Sequence, residues 1–227
     1  MCGRFALISD TEQLVAEFGI APESVAAMPE SVPRYNVAPT QPVAAIRLNE
    51  AKQRELTFFQ WGLIPSWSKD PKIGSRLINA RSETVAEKPS FRTAFKRRRC
   101  IIPADGFYEW QKLDRGKQPV FIHSADKRPF ALAGLWEMWS DAGGSMLQTC
   151  TILTTHPNEL MVPIHNRMPV ILEAEDYDMW LDPGDDPEQA LHLLRPYPAE
   201  KMAAYPVSTF VNSPRNDAPT CIEPLAN

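Results

Sequence analysis

Four short stretches set polar residues among apolar ones: MCGRF, LINARSET, ADGFYEW and PIHNRMP, which contain Cys2, Asn79, Glu109 and His165. Removal of Met1, which the small side chain after it favours, would leave Cys2 with a thiol and a free α-amine on adjacent carbons. Glu109 lies between Tyr108 and Trp110 in an otherwise apolar strand, so with the aromatics on one face it points to the other. A cleft there would raise its pKa into a range useful for proton transfer, whereas an outer face would leave it an ordinary solvated carboxylate. His165 is one of four histidines and has a proton-transfer and a structural reading; Asn79 reads equally as a helix N-cap, and Cys2 as a small apolar residue starting a strand.

The elements that must hold these groups are short. The 227 residues include 22 prolines, spread along the chain rather than gathered in a linker, which implies one domain of brief elements and many irregular loops. CGRFAL reads as a first strand. Ser9 and Glu12 fit a capping box for a helix carrying Leu14, Val15 and Phe18, with Gly19 as its stop. RYNVAPTQPVAAIRL and ELTFFQWGL read as strands, and CIIPADGFYEWQK, QPVFIHS, PFALAGLWEMW and MLQTCTILTT as an antiparallel meander with DRGK and DAGGS turns. FRTAFKRRR reads as a short surface helix, DPEQALHLL as a helix with Asp186 as N-cap and Pro187 at its first position, and MAAYPVSTF as a closing strand. The expected class is α+β, mostly β: a single domain, residues 1–227, with a curved antiparallel sheet or barrel-like core and a few short helices.

Composition narrows the function. With 44% hydrophobic residues the chain can build a core, and a net charge of −4 places any anion site in a local groove rather than in the overall field. Cys2, Cys100, Cys150 and Cys221 are scattered without CxxC or a histidine pair at ligand spacing, so neither a metal site nor a disulfide framework is expected. With no signal-peptide pattern and no long apolar run, the expectation is a cytoplasmic monomer that uses no membrane and no cofactor.

Together with RYNVAP, WGLIPSW, KPSFRTAFKRRRCIIPADGFYEW and YPVS, the four stretches closely resemble the SOS-response-associated peptidase (SRAP) family from Cys2 to about Ser208. The resemblance implies binding of single-stranded DNA and a covalent cross-link to abasic sites through Cys2 after Met1 is lost. The open sugar aldehyde would take the α-amine as a Schiff base, and the thiol would then close a thiazolidine. A terminal amine with a pKa of about 7.7 to 8.0 suits that attack at neutral pH. It further implies His165 as the proton donor and acceptor for opening the sugar ring, Glu109 as the proton shuttle for imine and thiazolidine formation, and Asn79 as the residue orienting the adduct. Arg4, Arg81 and Arg167 would clamp phosphates, and Trp67 in IPSWSKD would stack on or wedge beside a base. Ser68 follows Trp67 where some members carry a second aromatic, and a core tryptophan is the competing reading. The run Lys96 to Arg99 is left out of the site as a solvated helix face. Two other functions stay open: a thiol or N-terminal-nucleophile hydrolase that could remove its own Met1, and a non-covalent single-strand binder in which Cys2 is structural.

Overall fold

A computed structural model describes residues 2–25, 33–182, 184 and 187–225. In chain order the elements are β1 (Phe5–Leu7), α1 (Thr11–Phe18), β2 (Arg34–Val37), β3 (Pro42–Leu48), β4 (Arg54–Trp61), β5 (Asn79–Arg81), α2 (Arg92–Arg97), β6 (Arg99–Ala104), β7 (Gly106–Lys112), β8 (Lys117–Ser124), β9 (Phe130–Ser140), β10 (Met146–Thr155), β11 (Met168–Pro169), β12 (Ile171–Leu172), α3 (Tyr177–Leu181) and β13 (Met202–Pro206). The fold is mostly β with a few short helices, as the residue pattern implies. One sheet runs β13-β8-β7-β1-β2. In the other, the pairings close on themselves from β3 through β4, β10, β9 and β6 back to β3, giving a barrel-like ring. A main core that includes Phe5, Trp61, Phe107, Ile152 and Leu153 draws on both sheets, while Tyr108, Phe121, Val207 and Val211 form a smaller cluster.

Four local expectations are corrected. The meander is split between the two sheets, with β7 and β8 in one and β6, β9 and β10 in the other, and β10 also runs parallel to β4 and β5, strands far from it in the chain. RYNVAPTQPVAAIRL is two strands in different sheets, parted by a turn in which Thr40 takes a φ of 72°. CIIPADGFYEWQK also divides, at Asp105, whose carboxylate accepts the backbone N–H groups of Ile8 and Ser9 at 2.6 and 2.9 Å. The cap of α1 is Asp10, which accepts the Gln13 backbone N–H at 2.8 Å while the Gln13 side chain accepts the Asp10 N–H at 2.9 Å. Ser9 instead donates its hydroxyl to Asp105 at 2.6 Å, so a tertiary partner moves the capping box by one residue. Gly19 ends the helix in the left-handed region, as expected. Pro187–Leu193 is a 3-10 helix, and its expected cap Asp186 lies outside the described residues.

The division at Asp105 requires glycine next. A Cβ on Gly106 would stand 2.3 Å from a ring carbon of Phe121 and 2.6 Å from the Ile122 carbonyl oxygen. Gly106→Ala should therefore destabilise the fold by ~1–3 kcal/mol, the usual scale for overpacking, and lower the denaturation midpoint accordingly. A midpoint equal to the parent's would mean β7 and β8 can separate freely.

Half of the Lys96–Arg99 run is structural. Arg98 pairs with Glu137 at 2.7 Å. Arg99 is buried and donates to the carbonyls of Trp180, Phe95 and Asp182 at 2.5, 3.0 and 2.6 Å, tying α2 and α3 to β6. Lys96 and Arg97 are exposed.

Candidate functional site

β1 and β7 are antiparallel with Phe5 opposite Phe107, and the Tyr108 N–H donates to the Arg4 carbonyl at 2.9 Å. That pairing carries residues 2 and 3 along Glu109. Cys2 is fully buried, and its thiol is pushed well above the ordinary value, first by burial and then by the negative charge of Glu109. In β7 the alternation works as the sequence implies: Tyr108 and Trp110 belong to the smaller cluster, while Glu109 turns the other way and is 3% exposed. Burial raises the Glu109 pKa, and the charge of His165 opposes the rise. Its Oε2 lies 3.9 Å from His165 Nε2.

His165 is placed by a tight turn. Asn158 is buried, accepts the Met161 N–H at 3.0 Å and donates to the Tyr197 carbonyl at 2.7 Å; the His165 N–H then donates to the Met161 carbonyl at 2.8 Å. His165 Nδ1 accepts the backbone N–H of Arg167 at 3.1 Å. The neutral imidazole therefore carries its proton on Nε2, the nitrogen turned toward Glu109.

Asn79 is not a helix cap. It opens β5 opposite Ile152 of β10, and the following 3-10 turn begins only at Ser82. Its Nδ2 donates to the Ile152 carbonyl at 3.4 Å, whereas Oδ1 is buried without a hydrogen-bond partner among the described residues. Trp61 joins the strand of Asn79 to that of Cys2: its ring packs 5.3 Å from Phe5 and its Nε1 donates to the Ile78 carbonyl at 2.9 Å.

The arginines are placed differently from one another. Arg81 is exposed and makes no ion pair among the described residues. Arg4 Nη1 donates to Asn36 Oδ1 at 2.7 Å and to the Val211 carbonyl at 2.9 Å, with the guanidinium 5.7 Å from the Trp110 ring. Arg167 grips Glu83 with both terminal nitrogens, at 2.5 and 3.0 Å, and its Nη2 also donates to the Thr154 carbonyl at 2.5 Å. That fork lowers the Glu83 pKa to about 2. Trp67 is 60% exposed, on a loop fixed by the Trp139 Nε1 donating to the Ser68 carbonyl at 2.7 Å. Cys2, Glu109 and His165 thus converge directly, Asn79 is bound to them through β10 and Trp61, and Trp67 stands out from its loop.

Glu83 and Asn158 escape a residue-by-residue reading. Glu83 lies four positions after Asn79 within LINARSET, and Asn158 seven before His165. Their roles depend on partners supplied by other elements. All four cysteines are free, and among the described residues no group of three or more histidine, cysteine or acidic residues could hold a metal and no helix is long and apolar enough to cross a membrane.

Two sheets sharing a core, with Cys2 set beside a buried carboxyl–imidazole pair, define the class. Residues 1–214 match the family described as SOS response associated peptidase (SRAP), and the chain belongs to that family. It is 50% identical over 228 residues to the abasic site processing protein YoqW of Bacillus subtilis, covering 98% of this chain and 99% of that one. It is 39% identical over 225 residues to the abasic site processing protein HMCES of Gallus gallus, covering 85% of this chain and 66% of that one. A crystal structure of a Bacteroides thetaiotaomicron protein superposes with a TM-score of 0.87 at 30% identity, over 99% of this chain and all of that one.

Proposed function

We propose that this protein binds single-stranded DNA and cross-links to abasic sites through Cys2 once Met1 is removed. The observation that carries the reading is the burial of Cys2 beside Glu109, whose carboxyl faces His165 at 3.9 Å. The relatives named abasic site processing proteins support the substrate. In the reaction the α-amine adds to the aldehyde carbon, water leaves to give the imine, and the thiol sulfur adds to the same carbon as its proton passes to nitrogen. Because the thiol is held protonated by burial, a nearby base must take that proton, and Glu109 is in place to do so once ionised. His165 donates from Nε2 to open the sugar ring. The unpaired Oδ1 of Asn79 is an acceptor for a hydroxyl of the opened sugar.

A thiol peptidase needs a thiolate, stabilised by a lowered pKa or an ionised partner, and here both burial and the Glu109 charge push the Cys2 thiol the other way. That favours the amine as the first nucleophile. Intact mass spectrometry after incubation with an abasic single strand tests the reading: the product should equal the chain without Met1, plus the oligonucleotide, less one water. Recovery of unmodified protein would rule it out.

Arg81 offers an exposed cation for the strand, and Arg4 and Arg167 retain donors beyond their protein partners. With about three phosphates neutralised at roughly −0.7 each, the log–log salt slope of binding to an intact strand should be near −2. A slope of about −3.5 or steeper would put Lys96 and Arg97 in the footprint.

A further inference from the structure

We propose that Glu83 is a positioning residue for the cross-linking reaction, acting through Arg167 to hold His165 in register with Asn79. The inference rests on the function proposed above. Glu83 lies in the 3-10 turn Ser82–Thr84 directly after β5, so it moves with Asn79 and Arg81. Its two oxygens take both terminal nitrogens of Arg167, a planar fork on a planar fork, which fixes distance and angle together. Arg167 is only 13% exposed and also reaches the Thr154 carbonyl at the end of β10, the segment that pairs with β5 on one side and β11 on the other. Its backbone N–H meets His165 Nδ1 and sets the tautomer that points Nε2–H at Glu109. Glu83, Arg167 and His165 therefore form one continuous chain from the strand of Asn79 to the proton donor. His156 Nε2, 3.1 Å from Glu83 Oε1, holds the same carboxylate from its exposed side.

Loss of this chain has a defined consequence. Without Glu83 the guanidinium keeps only the Thr154 oxygens, the loop of residues 165–167 is free to shift, and a misplacement of the order of an ångström costs far more in rate than in binding. The competing idea is that Glu83 merely occupies the place of a DNA phosphate on Arg167 in the free protein. Removing it would then tighten binding and leave the chemistry alone.

Single-turnover cross-linking to a saturating abasic single strand separates these. Glu83→Gln should lower the maximal rate by about tenfold while the half-saturating strand concentration stays within about threefold of the parent's. Glu83→Asp, which keeps the charge and the fork, should recover to within about threefold of the parental rate. In a His165→Ala background, Glu83→Gln should cost nothing further, because its effect passes through the missing imidazole. A parental rate in Glu83→Gln, with or without tighter binding, would overturn the proposal, as would a full tenfold loss in both backgrounds. If Glu83→Gln does not fold, Arg167→Lys, which keeps the charge but cannot make the two-pronged contact with Glu83, decides in its place: a loss of about tenfold in maximal rate at saturating strand supports the proposal and a parental rate overturns it. Absence of any adduct from the parent protein would instead remove the underlying function.

Discussion

An uncleaved residue ahead of Cys2 should abolish the adduct with an abasic strand even though the thiol is intact. Only a free α-amine can form the imine, and a peptide nitrogen cannot replace it. Cys2→Ser tests the other half of the residue: it keeps the amine after Met1 removal but substitutes a hydroxyl, a far poorer nucleophile than a thiol at neutral pH. The burial that raises the Cys2 thiol sharpens this expectation, since a hydroxyl in the same place is harder still to deprotonate. The serine chain should stall at the imine, which denaturing electrophoresis detects only after borohydride reduction. The parent thiazolidine should survive denaturation without a reductant. A stable adduct formed at the parental rate by the extended chain would leave the amine no role, and the thiazolidine route would have to be abandoned.

What could be read from residues alone follows from how local each feature is. The alternation of Phe107, Tyr108, Glu109 and Trp110 is a local period of two, and it correctly sets Glu109 apart from its aromatic neighbours. Gly19 as a helix stop is equally local. The capping box missed by one position because Ser9 is claimed by Asp105, 96 positions away, and no local pattern carries that bond. The same carboxylate turns one apparent strand into two strands of different sheets, which is what brings Glu109 of the smaller sheet alongside Cys2. Asn79 looked like a helix start because asparagine before a polar turn is a common cap; a parallel pairing with β10, supplied by residues about seventy positions later in the chain, makes it a strand residue. The candidate groups were thus visible by type, and their geometry depended on non-local partners such as Asn158 and Trp61.

Glu109→Gln and His165→Ala should each slow cross-linking by about a hundredfold or more, the usual scale of general acid–base help, while leaving a slow covalent product. Glutamine matches glutamate in shape, so a loss in Glu109→Gln reports the missing proton transfer and not a cavity. In His165→Ala the loss is that of the proton donor: Nε2–H no longer faces the Glu109 carboxyl and the opening sugar. Stability should move in the opposite direction. Because the folded state raises the Glu109 pKa, it holds the proton more tightly than the unfolded chain does. Its contribution to stability is therefore full at low pH, falls as pH rises from the ordinary carboxylate range toward the raised value, and stays lower above it. Glu109→Gln has no such proton to lose and should melt at a higher temperature than the parent at neutral pH, with the difference shrinking as the pH is lowered. A variant that is slower and more stable together would identify Glu109 as a carboxyl buried at a cost to the fold because the chemistry needs it there. Rates within a factor of two of the parent, with an unchanged melting temperature at every pH, would reduce the pair to a structural contact.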